Sequence, residues 1–306
     1  MHIVALAGGV GGAKLAYGLA KIIPNTDLTI IVNTGDDFDY WGLRICPDLD
    51  TVTYTLADLA NSETGWGRKD ETWQVIENVK LLGGDTWFNV GDKDLATHLD
   101  RTTRLKNGEP LSSIVKHFCN NWNINTSVIP MTDDVVSTIV DTVEFGELPF
   151  QTYFVKNKCL PAVTGFRFSG IEEAMPAPGV LSKINEADAV VFCPSNPWVS
   201  IDPILKINSM KDALNGKKIF AVSPIINGNT IKGPAAKMYQ ELGFEPSSFS
   251  VANHYSGLVT DFVLDVQDYK LGPKIKNLGI NTHIIDTIMK NNSDRIKLAQ
   301  FVLNLI

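Results

Sequence analysis

The chain predicts an α/β protein, with a Rossmann-like three-layer core, a mainly parallel sheet, and an inserted helical and small-β region. Three observations carry this expectation. Residues 2–24 read as an apolar strand, a glycine-rich turn and a helix, and a second apolar strand follows at once. Short apolar runs return after residue 187, and the first two end in polar, proline-containing loops. Between these halves, residues 50–170 change texture, with aromatic-rich helices followed by alternating strands. The division is therefore 1–49 and 171–306 for the core and 50–170 for the insertion.

Taken in order, His2 to Ala7 is the first strand, and Gly8, Gly9, Gly11 and Gly12 make the turn. Leu15, Leu19, Ile22 and Ile23 then repeat at helical spacing up to Pro24. Glycines suit a turn that needs positive φ or an unobstructed backbone, and a helix start favours an anion such as phosphate. The spacing fits neither common fingerprint. A dinucleotide motif would need glycine at Lys14, and a P-loop would need Gly-Lys-Ser/Thr at Ala13, Lys14 and Leu15. A tight turn with no ligand is the competing reading.

Leu28 to Val32 completes a βαβ unit and runs into Asn33-Thr34-Gly35-Asp36-Asp37. Acids at this distance from the glycines lie where a dinucleotide fold places a ribose contact, although Gly-Asp-Asp also makes a plain polar turn. The next stretch mixes Phe38, Tyr40 and Trp41 with Asp39, Arg44, Asp48 and Asp50. Asp48 or Asp50 fits a helix N-cap before Val52, Leu56 and Leu59. A loop this acidic also fits a hydroxylated substrate or Mg²⁺.

Residues 63–82 read as a helix with Trp66 and Trp73 in the core. Asp92 is the expected N-cap of the helix carrying Leu95, His98 and Leu99. Lys93 then sits in its first turn, where the dipole disfavours a cation. His98 reads as a residue that packs or caps a hydrogen-bond network, and Arg101 with Arg104 as a solvated face or an anion clamp. Leu111 to Trp122 is another helix, and Ser127 to Lys156 reads as hairpin strands, with Asp133 and Asp134 at their start as site-facing or turn residues. Later strands are expected at 187–193, 217–222, 259–266 and 282–285, with helices at 235–242 and 294–305. Ligands of open α/β sheets sit beyond the carboxyl ends of the strands, so the loops at Gly8, Asn33, Ser195 and Ser223 should meet at one crevice.

Composition narrows the function classes. The chain has 306 residues, 44% hydrophobic and 20% charged, with 27 basic and 34 acidic side chains and a net charge of −7. Without a Lys/Arg run, that balance argues against a dedicated nucleic-acid binder and leaves room for a local basic pocket. Cys46, Cys119, Cys159 and Cys193 are scattered, which suggests neither zinc nor a disulfide framework. No apolar stretch approaches the ~20 residues of a membrane span, and a cytoplasmic location is the simplest expectation.

Five segments together are more specific than any one motif: ALAGGVGGAKLAYGL, VNTGDDFDYWGLRICPDLDTVTYTLA, TWFNVGDKDLATHL, CPSNPWVSIDPIL and VSPIINGNTIKGPAAKM. In these the chain resembles the 2-phospho-L-lactate transferase family of deazaflavin (coenzyme F-420) biosynthesis. The resemblance implies a Mg²⁺-dependent enzyme. It would move a phosphorylated three-carbon acid (phospholactate, phosphoenolpyruvate or phosphoglycerate) from a guanosine diphosphate-linked donor. The acceptor would be the ribityl hydroxyl of 7,8-didemethyl-8-hydroxy-5-deazariboflavin, and GMP would leave. It further implies that Gly8, Gly9, Gly11, Gly12, Asp36, Asp37, Ser195, Asn196 and Pro197 hold the nucleotide. Asp50 and Lys93 would contact the deazaflavin, with the 50–170 region contributing to the acceptor site. Asp50 is the catalytic candidate, and Asp50 and Asp36 are the metal candidates. Phe38, Tyr40, Trp41 or Trp87 would wall the planar acceptor, and a homodimer is expected by base rate. A non-catalytic nucleotide-sugar binder of the gluconeogenesis-factor type and a dinucleotide oxidoreductase are the alternatives. The DLDT and GDKD segments count against the first and the broken glycine fingerprint against the second.

Overall fold

The computed structural model describes residues 1–306. Its first half runs β1 (Ile3–Ala7), α1 (Gly9–Ile22), β2 (Leu28–Val32), β3 (Phe38–Tyr40), β4 (Leu43–Ile45) and α2 (Pro47–Leu56). Next come α3 (Gln74–Leu81), α4 (Asp92–Lys106), α5 (Leu111–Asn121) and β5 (Ser127–Pro130). Strands β6 (Ser137–Thr142), β7 (Gly146–Pro149) and β8 (Val163–Ser169) follow. The second half adds β9 (Ala189–Phe192), β10 (Lys218–Val222), β11 (Ile225–Ile226), β12 (Asn229–Thr230), β13 (Asp261–Asp265) and β14 (Asn281–Ile285). A last helix, Asn292–Leu305, packs on α1.

Seven strands form one sheet in the order β14-β13-β10-β9-β1-β2-β5, and every adjacent pair is parallel. A parallel sheet is covered on both faces, so its strands are apolar without alternation. All five residues of β1, β2 and β13 are buried. Alternate residues feed two cores: Val4, Leu6, Val190 and Phe192 face one layer, and Ile3, Ala5, Ala189 and Val191 the other. The chain leaves β1 towards β2 and β5, then returns beside β1 with β9 and proceeds the other way. The order therefore reverses between β1 and β9, where such sheets open a crevice at their carboxyl ends.

The middle of the chain corrects several expectations. Within Ser127–Lys156, β5 pairs with β2 as an edge strand of the central sheet. Only β6 and β7 form the expected hairpin, with β8 as a third antiparallel strand, and Thr152–Lys156 is a helical turn. Of the helix expected over 63–82, only Gln74–Leu81 is helical. Trp66 and Trp73 are 43% and 38% exposed, so neither is a core residue.

Asp92 does not cap its own helix. It is the first residue of α4, and its carboxylate accepts from the Gln74 and Val75 N–H groups at the start of α3 (both 3.1 Å). Glu71 accepts in turn from Lys93 N and Asp94 N (both 2.8 Å). Each helix thus has its free N–H groups satisfied by an acid next to the other helix. Asp133 caps α5 through Ser112 N (2.6 Å) and Asp134 accepts from Met175 N (2.8 Å), so both of these acids hold turns.

Candidate active site

The four expected loops do converge. A cavity of about 640 Å³ opens at the carboxyl ends of the strands, lined by Gly8, Asp36, Ser195 and Ser223 among others. The glycine turn is packed more tightly than a bare phosphate cradle requires. Gly8 N donates to Ser195 Oγ (3.2 Å), whose hydroxyl donates back to Gly8 O (2.8 Å). Gly9, at φ +60°, has a backbone conformation that side chains disfavour. A Cβ at Gly11 would collide with the Pro194 carbonyl. Gly11 is thus dictated by the β9 loop pressed against it.

Asp48 ties this corner together. Gly9 N donates to its Oδ1 (2.7 Å) and Asn33 Nδ2 to its Oδ2 (2.9 Å), while Asn33 also reaches Val199 O (3.2 Å). The N-cap expectation for Asp48 and Asp50 fails. The cap position is Cys46, Pro47 begins α2, and both acids lie in its first turn, facing other elements. One glycine-turn N–H is therefore already given to a carboxylate. Beside it, Asp36 is 6% exposed and its Oδ1 has no hydrogen-bond partner. Burial, then the like charges of Asp48 and Asp37, push the Asp36 carboxyl well above the usual range. Burial also pushes Asp48 up to about 6, against the hydrogen bonds from Asn33 and Gly9.

A second cluster centres on Arg101, a side chain 2% exposed. Its guanidinium donates to both oxygens of Asp50, with Nη1 3.1 Å from Oδ2, and to Arg44 O at 3.2 Å. His98 Nδ1 lies 3.7 Å from Asp50 and Nε2 lies 3.3 Å from Asp94, whose other oxygen accepts from Tyr54 OH (2.7 Å). Burial pushes Asp50 up, while Arg101 and His98 pull it back. At Asp94 burial works upward too, but the adjacent His98 ring and the bond from Tyr54 outweigh it and hold the carboxyl below its ordinary range. Asp50, Asp94 and His98 stand close enough to share a metal ion. The buried guanidinium already neutralises Asp50, however, so a second cation there would be repelled. Asp36 and Asp48 form the better divalent-cation pair: two hard oxygen donors, mutually repelling, one with an orphaned buried atom.

Of the residues expected to hold the nucleotide, Gly8, Gly9, Gly11, Asp36, Ser195 and Asn196 line the cavity. Gly12, Asp37 and Pro197 do not line it. Burial pushes Asp37 up to about 7 against the pull of Arg44. Asp50 lines the cavity and Lys93 does not: it is exposed, with Nζ 3.3 Å from Lys69 O. Successive helical residues differ by about 100° in direction, so with Asp94 turned inward Lys93 points elsewhere. Phe38, Tyr40, Trp41 and Trp87 pack on one another, with neighbouring centroids such as Tyr40–Trp41 at 4.8 Å, and none of the four lines the cavity. Its aromatic walls are Tyr54, Trp66, Phe88, Phe150 and Phe154. Sequence reasoning missed Asp94 altogether, and left Asp48 as a cap or one acid of a loop, His98 as a packing or network residue and Arg101 as a solvated face or anion clamp. For α4 a signal existed: positions 94, 98 and 101 repeat at i, i+4, i+7, a polar stripe of helical period.

Comparison with known proteins bears on the family and the fold. A family model described as 2-phospho-L-lactate transferase CofD matches residues 3–296. A phosphoenolpyruvate transferase of Streptomyces griseus is 40% identical, covering 100% of this chain and 98% of its own length. A 2-phospho-L-lactate transferase of Methanococcus vannielii is 38% identical, covering 99% and 97%. The crystal structure of a UPF0052-family protein from Bacillus halodurans superposes with a TM-score of 0.65 over 99% of this chain and 98% of that one. At 15% identity that likeness speaks for the fold alone. No helix is long and apolar enough to cross a membrane.

Proposed function

The chain belongs to the 2-phospho-L-lactate transferase family of coenzyme F-420 biosynthesis, whose members act on a deazaflavin acceptor with an activated donor, and we propose that it transfers a phosphorylated three-carbon acid from a guanosine diphosphate-linked donor to the ribityl hydroxyl of 7,8-didemethyl-8-hydroxy-5-deazariboflavin. The hydroxyl oxygen forms a bond to the phosphorus of the phospho-acid. The anhydride bond to the second phosphate breaks, GMP leaves, and the hydroxyl proton passes to a carboxylate. The observation that carries this reading is one cavity at the strand reversal holding two distinct buried carboxylate groups, Asp36 with Asp48 and Asp50 with Asp94.

The two groups suit different ends of the reaction. Asp36 and Asp48, beside the glycine turn, would hold Mg²⁺, which when bound neutralises diphosphate charge as the anhydride opens. Asp50 suits the acceptor end. Arg101 occupies both of its oxygens but leaves each a second lone pair. A hydroxyl can therefore be oriented by a carboxylate that does not itself swing, and most of the rate gain comes from such positioning and charge. Tyr54, Trp66, Phe88 and Phe150 offer apolar faces for a planar ring.

The relatives carry two names, phosphoenolpyruvate transferase and 2-phospho-L-lactate transferase, at similar identity. The deciding experiment incubates the protein with the deazaflavin, Mg²⁺ and each guanylylated acid separately, reading product masses. One donor should give the phosphodiester adduct together with GMP. No adduct from any of the three overturns the proposal.

A further inference from the structure

We propose that Lys14 and Lys232 form the subsite that holds the diphosphate of the donor. The inference rests on the transferase reading above and assigns to it two residues not yet used. They are the only lysines among the residues lining the cavity, and no arginine lines it.

The argument starts from what these ammonium groups lack. Four buried carboxylates, Asp36, Asp48, Asp50 and Asp94, line the same cavity, yet neither lysine forms an ion pair with any of them or with another acid. Lys14, half-buried on α1 one turn beyond the glycines, donates to Met289 O at 2.9 Å. Lys232, on the loop after β12, donates to Thr64 O and lies 3.4 Å from Glu63 O. Both are parked on neutral backbone carbonyls. A cation kept for stability alone would gain more from a carboxylate.

The surroundings add positive charge. Arg295, on the C-terminal helix, has a buried Nε with no hydrogen-bond partner and lies over the Tyr17 ring at 5.3 Å from its centroid. Burial, then Arg295 and Lys232, pull the Lys14 ammonium below the ordinary lysine range. Such a cluster is under repulsive load until an anion arrives. It also lies on the glycine-turn side of the cavity, since Val10, Gly11 and Lys14 line one stretch of α1. Lys232 completes a span over the mouth. The segment at Thr64–Gly67 meets the loop at Ile231–Gly233, and an added Cβ at Gly65 would come within 2.7 Å of Val10 Cγ1 and 3.1 Å of Lys232 Nζ. A diphosphate lying along the glycine turn would meet first-turn N–H groups, Lys14 from the helix and Lys232 from above.

The test uses the full chain and GDP as the probe, with GMP and phosphoenolpyruvate as controls, measured by titration calorimetry. Lys232 is exposed, so Lys232→Met should melt like the parent, and Lys14→Met is the second variant. Each should weaken GDP binding roughly 10- to 100-fold and raise the donor KM similarly, with the acceptor KM unchanged. GMP should lose less than GDP, and Lys232→Arg should recover most of the affinity. Unchanged GDP affinity in both folded variants overturns the subsite. So does a raised donor KM with unchanged GDP affinity, because that result places the three-carbon acid's carboxylate on the lysines instead. A parent that binds GDP but forms no adduct with any donor overturns the transferase reading and leaves the anion subsite standing.

Discussion

Removing Arg101 should be among the most damaging single changes in this chain that leave the core hydrophobics intact. Arg101→Met deletes the donors to both Asp50 oxygens and to Arg44 O, and strands a carboxylate that is 6% exposed. Breaking a buried pair by removing one partner costs about 3–5 kcal/mol, because the other charge is left without compensation. The loss should depend on pH. Burial already pushes Asp50 up, and the Arg101 charge is the strongest pull against it. Without the guanidinium the folded-state carboxyl rises further, so the fold is favoured while Asp50 is protonated. That contribution is present at low pH and lost as pH rises through the raised value. Arg101→Met should therefore be closer to the parent at pH 5 than at pH 8. Asp50→Asn leaves the guanidinium unpaired and should also cost several kcal/mol. The double variant removes both charges, so its loss should fall short of the summed single losses by about 1–3 kcal/mol. Urea unfolding of the four proteins, followed by circular dichroism, measures this cycle. Strictly additive losses, or an Arg101→Met variant within about 1 kcal/mol of the parent at pH 8, would refute the argument.

Three further outcomes follow from the same geometry. Gly11→Ala should lower the melting temperature as well as nucleotide affinity, because the new Cβ meets the Pro194 carbonyl rather than open space; a parental melt would show that the β9 loop yields freely. Mg²⁺ at ten times its Kd should add about 1.4 kcal/mol of stability at pH 8. That gain should shrink as pH falls through about 6, where Asp48 takes up its proton, and vanish in Asp36→Asn; pH-independent stabilisation would remove these carboxylates as ligands. Glu71→Ala should cost on the order of 1–2 kcal/mol by freeing the Lys93 and Asp94 N–H groups at the start of α4, which thermal denaturation would read directly.

Most of the central sheet was legible because five of its seven strands obey one rule. Buried on both faces, β1, β2, β9, β10 and β13 appear in the sequence as continuous short apolar runs, and each is found within two or three residues of its expected bounds. The cavity's position was legible too, since it follows from strand direction and the reversal beside β1. What sequence spacing could not supply is which side chains meet across it. Asp48 and Gly9 are 39 residues apart, and Arg101 and Asp50 are 51.

Helix α4 shows why hydrophobic patterning misdirects at such a place. Of the positions that patterning puts on its stripe (Leu95, His98, Leu99 and Thr102), Leu99 is 50% exposed, while His98 and Thr102 are buried along with Asp94, Thr97 and Arg101. The buried face of the helix is mainly polar, because part of the surface it covers is a polar site. Trp66 breaks the rule in the other direction: a large apolar side chain left 43% exposed beside the same cavity. Burying an arginine and exposing a tryptophan both cost stability, so neither arrangement is expected unless something else is gained. Of α4's buried face, Asp94 and His98 reach the cavity wall, and Arg101 meets it through Asp50. Local patterning thus fails along the cavity wall, the place where charge held for a ligand rather than for the fold would produce such a failure.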